Sequence, residues 1–316
     1  RCFINLTMSI EHVIICGGGT NAFSSLGIIH EAMKDSVIQY DKLKTIYAVS
    51  SGSFVGLILA LKPNIEDVVE YLLNFYFLLE KHQALFKSTS TLIATILKNK
   101  GIFDNEFIRY IIKPLLEATD VLNIESTLSD LYEYSNIHLN ILTTDLNAMQ
   151  TEHLNHETHP NLKIYEAIHM SCSIPIVLNP IKINGNFYID GALYTNNPIE
   201  YCIDKEAATL DKILAITSVG SIGSSNKNII NDENVIFYVG SVLRKIIFSF
   251  GKDELYKTVK SKYFFGIKGG VDETIIKIKD PQVRKEIYNT GVECYHETIS
   301  RYTLLNEPDE PNETDD

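Results

Sequence analysis

The sequence has no closely spaced pair of cysteines, no long apolar run and no excess of basic residues. Its 40 acidic and 28 basic residues give a formal net charge of −12, so nucleic acid is not expected as a partner, because phosphate binding needs a basic surface. No apolar run reaches the roughly 20 residues that a membrane span requires. The first residues also lack the apolar core and cleavage site of a secretory signal. Met8 is a natural start, so residues 1–7 are interpreted as a leader or a remnant.

The five cysteines exclude two kinds of site. They are odd in number, scattered and free of any Cys-x-x-Cys pair, so neither a disulfide framework nor a zinc–cysteine site is expected. This usage is typical of a reducing compartment, and we expect a cytoplasmic or other intracellular protein, with peripheral contact to membranes. The Asn5 and Asn312 sequons are therefore interpreted as unused. The cysteines are Cys2, Cys16, Cys172, Cys202 and Cys294.

A histidine-rich stretch, "HLNHETH" (153–159), invites a metal interpretation. His153, His156 and His159 lie close to Glu157, but the stretch is polar and loop-like and lacks the i, i+4 pairing of histidines on a helix. We therefore predict no metal site, and no cofactor of any other kind.

Apolar runs that alternate with helix-like patterns predict an α/β fold with a parallel or mixed sheet. Residues 64–134 are predicted to be mostly helical, and the acidic, proline-containing end, residues 306–316, to be a disordered tail. No repeat or linker divides the chain, so one domain is expected over residues 8–305, with a C-terminal helical extension over about 206–305. The predicted strands cover residues 12–16, 45–49, 137–145, 186–190 and 212–220, and the first two helices cover 22–34 and 53–61.

Three consecutive glycines, the glycine loop (residues 17–19), follow the first predicted strand in "VIICGGGTNAFSSLGIIHEA" (13–32). Because glycine has no Cβ, a ligand can lie against the bare N–H groups of Gly17, Gly18 and Gly19 at the start of the next helix, where the helix dipole favours negative charge. The ligand is therefore expected to be an anion. Either a bound phosphate or the transient oxyanion of an acyl-transfer reaction fits this pattern.

The second strand–turn–helix unit, "IYAVSSGSFVGLILALKP" (46–63), carries three serines at its turn. A nucleophile elbow needs small residues two positions before and after the serine, because the strained turn presses those neighbours together. Ser50 has Ala48 and Gly52 at these positions, whereas the other two serines each have a β-branched neighbour there. A serine helix cap in an ordinary turn also fits this stretch alone. However, the glycine loop and this turn end successive strands, which would place N–H donors beside the Ser50 hydroxyl.

A serine nucleophile needs a proton acceptor, and the sequence offers two candidates. His296 lies on a predicted helix, on the face opposite to the apolar stripe, so it is expected to face solvent. Asp190 ends a predicted strand in "FYIDGALYTNNP" (187–198), and open α/β sheets place their sites at the carboxyl ends of strands. An Asp-Gly hairpin turn is the alternative for this stretch. Asp190 is the stronger candidate.

With the glycine loop, Ser50 and Asp190 in this order, the chain resembles the patatin-like phospholipase family from about residue 12 to 200. The block "EAIHMSCSIPIVLNPI" (166–181) is similar to the family's small-residue segment that leads to a proline. The block "DGALYTNNP" (190–198) is similar to its aspartate-glycine motif, which asparagine and proline follow. The resemblance implies a three-layer α/β/α fold with a mostly parallel central sheet.

The same resemblance implies a lipid acyl hydrolase of the phospholipase A type that uses a Ser–Asp dyad without histidine. Carried over, Ser50 attacks the ester carbonyl, Asp190 accepts its proton and later activates water, and the N–H groups of the glycine loop form the oxyanion hole. Gly52 and Gly191 occupy supporting positions in the two motifs. The implied substrate is a phospholipid or another acyl lipid, and no cofactor is implied.

Two positions depart from the family pattern. Ala48 stands where the family usually has glycine, and alanine is small enough for the turn. Asn21 and Ala22 replace the Arg-Gly pair that usually ends the oxyanion loop, which removes a positive charge and alters how the loop is anchored. This second departure keeps an alternative open, a catalytically impaired lipid-binding or scaffolding protein.

A dinucleotide-binding oxidoreductase is a further alternative, because residues 17–22 also fit the fingerprint G-x-G-x-x-A. That fingerprint requires an acidic residue, which binds the ribose, at the end of the second strand, and this chain has Ser50 there.

Residues 242–270 combine seven basic and two acidic residues with six aromatic side chains. This composition suits peripheral contact with an anionic membrane surface. A core helix with solvated lysines is the competing interpretation.

Overall fold

The computed structural model describes residues 9–75, 88–219, 263–268 and 278–305, so residues 1–7 and the acidic end, residues 306–316, lie outside the described residues. Within these ranges lie ten strands and nine helices. The strands are β1 (His12–Ile15), β2 (Thr45–Val49), β3 (Gly101–Phe103), β4 (His138–Asp145), β5 (Gln150–Leu154), β6 (Ile176–Leu178), β7 (Ile181–Ile183), β8 (Asn186–Asp190), β9 (Ile213–Val219) and β10 (Phe264–Lys268). The helices are α1 (Ala22–Lys34), α2 (Gly52–Leu61), α3 (Ile65–Asn74), α4 (Thr89–Asn99), α5 (Asn105–Glu117), α6 (Leu128–Ser135), α7 (Ile164–Cys172), α8 (Ile199–Glu206) and α9 (Pro281–Leu305).

Eight of the strands form one central sheet, in the order β10–β9–β1–β2–β4–β8–β7, with β5 also paired to β4. The five strands from β10 to β4 are mutually parallel. Strands β5 and β8 run antiparallel to β4, and β7 runs antiparallel to β8. The prediction of an α/β fold with a mostly parallel central sheet is therefore confirmed.

Successive residues of the parallel strands pack on opposite faces of the sheet, as the pleat requires. Val13 and Ile46 join the larger core, which includes residues of α1, α2 and α9. Ile14 and Tyr47 join a smaller core on the other face, which includes Ile199 of α8. Helices therefore cover both faces, and the strands between them are apolar on both sides, as in other parallel sheets.

The C-terminal region contributes strands as well as helix. The sequence predicts a helical extension over residues 206–305 with one strand at 212–220. The structure has that strand as β9 and the helix α9, and it adds β10, which the sequence patterns do not predict. Residues 213–217 are buried, and β9 is paired to β1 on one side and β10 on the other. This apolar run, rich in β-branched residues, forms a strand because helices cover it on both faces of the sheet.

Most of the segment 242–270, proposed for membrane contact, lies outside the described residues. Its described part centres on β10, where Tyr263, Phe264 and Phe265 are buried in the two cores. These three aromatic side chains therefore do not form a contact surface, and the rest of the proposed surface stays a prediction. Among the described helices, none is both long and apolar enough to cross a membrane.

Helices α1 and α9 cross at two glycines. A Cβ on Gly291 would lie 1.9 Å from the Ser24 carbonyl oxygen, and a Cβ on Gly27 would lie 2.4 Å from the Tyr288 carbonyl oxygen. The Ser24 hydroxyl also donates a hydrogen bond to the Ile287 carbonyl oxygen at 2.8 Å. The two helix backbones are thus in direct contact, and no larger side chain fits between them.

Gly291→Ala is expected to lower the free energy of unfolding by about 1–3 kcal/mol, because the added methyl group must displace the backbone of α1. Helix propensity alone predicts the opposite sign, a gain of up to about 1 kcal/mol. Chemical denaturation measures the change. Asn289→Ala, at an exposed position on the same helix, is the matched control and should stay within about 0.5 kcal/mol of the original protein. Unchanged or higher stability of Gly291→Ala would contradict the close crossing.

Candidate active site

The candidate residues lie in one row across the sheet. Strand β1 pairs with β2, and β2 with β4, in parallel, and continuing these registers past the strand ends places Gly17 beside Ser50 and Ser50 beside Thr143. Thr143 in turn pairs with Asp190 across the antiparallel β4–β8 ladder. The turn after β1, the turn after β2 and the end of β8 therefore meet at one edge of the sheet, although Ser50 and Asp190 are 140 residues apart in the chain.

Ser50 occupies a sharp turn between β2 and α2. Its φ of 51° lies in the left-handed region, which is strained for a residue that carries a Cβ. Ser53 closes the turn, because its N–H and its hydroxyl donate to the Ser50 carbonyl oxygen at 2.8 and 2.6 Å. A Cβ on Gly52 would lie 2.4 Å from the Ile15 carbonyl oxygen, so this position requires glycine. The turn has the strained geometry of a nucleophile elbow.

The Ser50 hydroxyl donates a hydrogen bond to Asp190 Oδ2 at 2.5 Å. The other carboxylate oxygen, Oδ1, accepts from the Ala192 N–H at 2.8 Å. Asp190 is 1% exposed and Ser50 is 4% exposed. Burial raises the pKa of Asp190 to about 7, and the two hydrogen bonds hold that pKa below the value that burial alone would give. Near neutral pH the carboxylate is therefore poised to accept a proton.

The three N–H groups of the glycine loop differ in what they contact. The Gly17 N–H donates to Asn196 Oδ1 at 2.9 Å, and the Gly18 N–H donates to Ser51 Oγ at 3.3 Å. The Gly19 N–H has no hydrogen-bond acceptor in the part of the chain that the structure describes. Gly19 has a φ of 58°, in the left-handed region that favours glycine. Of the three predicted donors, Gly19 can therefore bind an anion without first breaking a contact to a described residue.

Both backbone polar groups of Gly17 form hydrogen bonds with side chains. Asn196 accepts from its N–H, and the Ser218 hydroxyl donates to its carbonyl oxygen at 3.2 Å. The side-chain amide of Asn21 donates to Ser218 Oγ at 3.5 Å, so the residue that replaces the family's arginine contributes to the anchoring of the loop. A Cβ on Gly17 would lie 2.7 Å from the Ser50 Cβ, which shows how closely the loop approaches the candidate nucleophile.

Helix α7 supports both members of the candidate dyad. Ser171 Oγ accepts from the Ser50 N–H at 2.8 Å and donates to the Leu142 carbonyl oxygen at 2.6 Å. The carbonyl oxygen of Ser173, directly after the helix, accepts from the Asp190 N–H at 3.1 Å. The small-residue block that the sequence analysis noted is therefore the segment that fixes Ser50 and Asp190 relative to each other.

Asn196, Ser171 and Ser218 are site residues that the sequence analysis did not identify. Asn196 carries one usable signal, because it belongs to the asparagine–proline end of the Asp190 motif. Ser171 likewise belongs to the small-residue block 166–181, although its contact with Ser50 spans 121 residues. Ser218 carries no signal, since serine is common in turns and its partner Gly17 lies 201 residues away.

His296 and Cys172 are the other two potentially reactive side chains considered for the site. His296 is exposed on α9, as expected for the solvated face of this helix. Its Nε2 lies 3.1 Å from the Glu31 carboxylate of α1. The Cys172 sulfur lies 3.7 Å from Ser53 Oγ, close to the dyad. Burial raises the pKa of the Cys172 thiol, and the Asp190 charge adds to the effect, so the sulfur stays protonated and is a poor nucleophile.

The three histidines of the "HLNHETH" stretch face different partners. His153 stacks on a tyrosine of α8 with ring centroids 3.8 Å apart. His159 Nε2 lies 3.6 Å from a carboxylate of β5. His156 stacks on Tyr132 of α6, at 3.7 Å between centroids. The stretch therefore does not converge on one point by itself.

The site also bears on the dinucleotide alternative. A ribose-binding acid would have to end β2, and Ser50 holds that place with its hydroxyl bonded to Asp190. The geometry therefore favours acyl transfer over dinucleotide binding.

Several known proteins are similar to this chain. The family model described as patatin-like phospholipase matches residues 13–203. The probable lipid hydrolase 463L of Invertebrate iridescent virus 6 is 26% identical over 219 residues, which cover 68% of this chain and 72% of that protein. The uncharacterized protein R571 of Acanthamoeba polyphaga mimivirus is 27% identical over 209 residues, which cover 66% of this chain and 65% of that protein.

A solved structure shares the fold. VipD from Legionella pneumophila superposes with a TM-score of 0.53 at 12% identity, over 93% of this chain and 67% of VipD. At this identity the likeness bears on the fold alone. The family model, by contrast, covers more than half of the chain and includes the glycine loop, Ser50 and Asp190. The chain therefore belongs to the patatin-like phospholipase family.

Proposed function

We propose that this protein is a lipid acyl hydrolase of the phospholipase A type, which cleaves fatty acyl esters with Ser50 as the nucleophile and Asp190 as the base. The observation that carries the proposal is the 2.5 Å hydrogen bond from the Ser50 hydroxyl to the buried Asp190 carboxylate. The family description and the name of the viral relative, probable lipid hydrolase, support phospholipids or other acyl lipids as the substrate class.

In the first half of the reaction, Ser50 Oγ attacks the ester carbonyl carbon while its proton passes to Asp190 Oδ2. The carbonyl oxygen becomes an oxyanion, which the Gly19 N–H stabilises, joined by the Gly18 N–H once it leaves Ser51 Oγ. Collapse of the tetrahedral intermediate breaks the bond to the alcohol, and the departing oxygen takes the proton from Asp190. The products are acylated Ser50 and a free alcohol.

In the second half, Asp190 accepts a proton from water, and the resulting hydroxide attacks the acyl carbon. A second oxyanion forms in the same place, the bond to Ser50 Oγ breaks, and Ser50 recovers its proton from Asp190 as the fatty acid leaves. One carboxylate thus acts as base and acid in turn. Its pKa of about 7 suits this double role, because a group that must accept and return a proton works best near the operating pH.

The second candidate function is a lipid-binding or scaffolding protein with an impaired site. One observation favours it, the replacement of the family's arginine by Asn21. The Asn21 amide reaches Ser218 at 3.5 Å but brings no positive charge to the oxyanion loop. Reaction with a serine-directed probe separates the two functions, because only the hydrolase needs an activated Ser50.

A fluorophosphonate probe is expected to label Ser50, because such probes react with serine hydroxyls that a base activates. Ser50→Ala should abolish labelling and lower the hydrolysis of defined phospholipids by at least about 10³-fold. Ser300→Ala, at an exposed serine of α9, is the control and should retain both. Fluorescence of the labelled protein and the mass of the labelled peptide give the measurement.

If the probe does not label the folded protein, the hydrolase proposal fails and the result supports the lipid-binding alternative. If labelling persists in Ser50→Ala, the choice of nucleophile is wrong although the protein is still a serine hydrolase.

The kcat/KM for ester hydrolysis is expected to rise by about tenfold per pH unit up to the Asp190 pKa of about 7 and to level off above it. The sign follows from the role of Asp190, because a protonated carboxyl group cannot accept the Ser50 proton, so activity is lost as the pH falls. A soluble ester assayed between about pH 5 and pH 9 tests this, with the fold checked at each pH. A flat profile, or a single ionisation near the ordinary aspartate value of 3.8, would contradict the prediction.

Asn196→Ala is expected to lower kcat on the order of 10- to 100-fold with little change in KM, because the freed Gly17 peptide shifts the N–H donors that meet the oxyanion. Asn197→Ala is the matched control. Both asparagines are 8% exposed, and Asn197 Oδ1 accepts no hydrogen bond from a described residue. Equal losses of kcat in the two variants would point to a general loosening of the segment rather than to positioning by Asn196.

A further inference from the structure

His138, His156 and Glu157 converge at the end of the sheet opposite to the candidate dyad. Each offers one ligand atom, and these atoms all lie within 4.8 Å of one another. His138 begins β4, whereas Ser50 lies beside Thr143, five residues further along the same strand, so the two places are about 16 Å apart. The cluster is therefore separate from the chemistry at Ser50.

The pairing of β4 with β5 builds this cluster. The antiparallel register of the two strands, continued beyond the end of β5, sets His156 and Glu157 beside the first residues of β4. Asn155 orders the intervening backbone, because its amide donates to Asn140 Oδ1 at 2.7 Å and its own Oδ1 accepts from the Glu157 N–H at 2.9 Å.

The two imidazole rings are oriented by aromatic contacts. The His156 ring stacks on Tyr132 with centroids 3.7 Å apart and an interplanar angle of 5°. The His138 ring lies edge-on to both, with its centroid 4.7 Å from Tyr132 and 4.5 Å from His156. Over the described ranges, neither the ring nitrogens nor the Glu157 carboxylate forms a hydrogen bond or an ion pair with another residue. Their ligand atoms are therefore available.

We propose that His138, His156 and Glu157 bind a divalent transition-metal ion, with Zn²⁺ as the best match. Two imidazole nitrogens and a carboxylate oxygen form a donor set that is typical of zinc. Metal–ligand bonds of about 2.0–2.2 Å place the ligand atoms of a tetrahedral site about 3.3–3.6 Å apart, so small side-chain rotations complete the site and leave a fourth position for water. The ion joins the start of β4 to the segment after β5, so its binding is expected to stabilise the folded chain.

Zn²⁺ binding to the full, untagged chain, measured by calorimetry after chelator treatment, tests the site, with the visible absorption of bound Co²⁺ as a second readout. One ion per chain is expected, and Zn²⁺ should raise Tm because it binds the folded state. His156→Gln and Glu157→Gln should each weaken Zn²⁺ binding by at least about tenfold. His159→Gln is the matched control, since this histidine of the same stretch faces Glu152 and should leave Zn²⁺ binding unchanged.

Glu157 is exposed, so Glu157→Gln keeps the test decisive even where the His156 variant fails to fold. Absence of saturable binding, or binding that Glu157→Gln leaves unchanged, would overturn the proposal and leave an aromatic cluster without a ligand. An equal loss in His159→Gln would also overturn it, because the ion would then belong to the histidine-rich stretch rather than to the cluster.

Discussion

The hydrogen bond between the buried Ser50 hydroxyl and the buried Asp190 carboxylate is the interaction that the surrounding structure maintains. Burial makes ionisation of Asp190 costly and raises its pKa to about 7, while the Ala192 N–H offsets part of that cost. Because the folded state holds this proton more tightly than the unfolded chain, the group stabilises the fold at acid pH, and this contribution is lost as the pH rises through about 7. At this site, stability and the ability to accept a proton therefore change in opposite directions with pH.

The distance between the two groups is set by backbone packing rather than by flexible side chains. A Cβ on Gly191 would lie 2.3 Å from the Leu142 carbonyl oxygen, and Gly52 is similarly close to Ile15. The glycines of both motifs thus allow three segments to pack at contact distance. Ser171 then ties the Ser50 turn to β4 through its hydroxyl. Such a site is organised before any substrate arrives, which is the condition for effective stabilisation of a transient charge.

Sequence patterns predict the strands that carry the motifs, because apolar runs and glycine turns are local signals. The pairing of Ser50 with Asp190 follows from the family resemblance, which supplies the long-range information that local patterns lack. The contact of Asn196 with Gly17 depends on how distant segments meet at the sheet edge, and no pattern in either segment reveals it. The run 212–220 predicts strand β9, whereas β10 falls in a region expected to be helical, since its partner β9 lies more than 40 residues earlier in the chain.

The cluster of His138, His156 and Glu157 is a second case in which the sequence does not show which distant residues meet. Spacing in the sequence draws attention to all three histidines of residues 153–159, yet the histidine that joins His156 is His138, which the pairing of β4 with β5 brings in. Strand register is decided by how whole faces of the strands fit together, so the sequence stretch indicates His156 and Glu157 but not His138.

The crossing of α1 and α9 has a consequence for biosynthesis. Ser24 of α1 and its partner Ile287 of α9 are 263 residues apart. At roughly 5–20 residues per second, a ribosome makes the second helix about 10–50 s after the first. Throughout that interval the nascent polypeptide presents the glycine-containing side of α1 without its cover, whereas β9, the partner of β1, is translated before α9. The backbone contact between α1 and α9 can therefore form only after α9 has been translated.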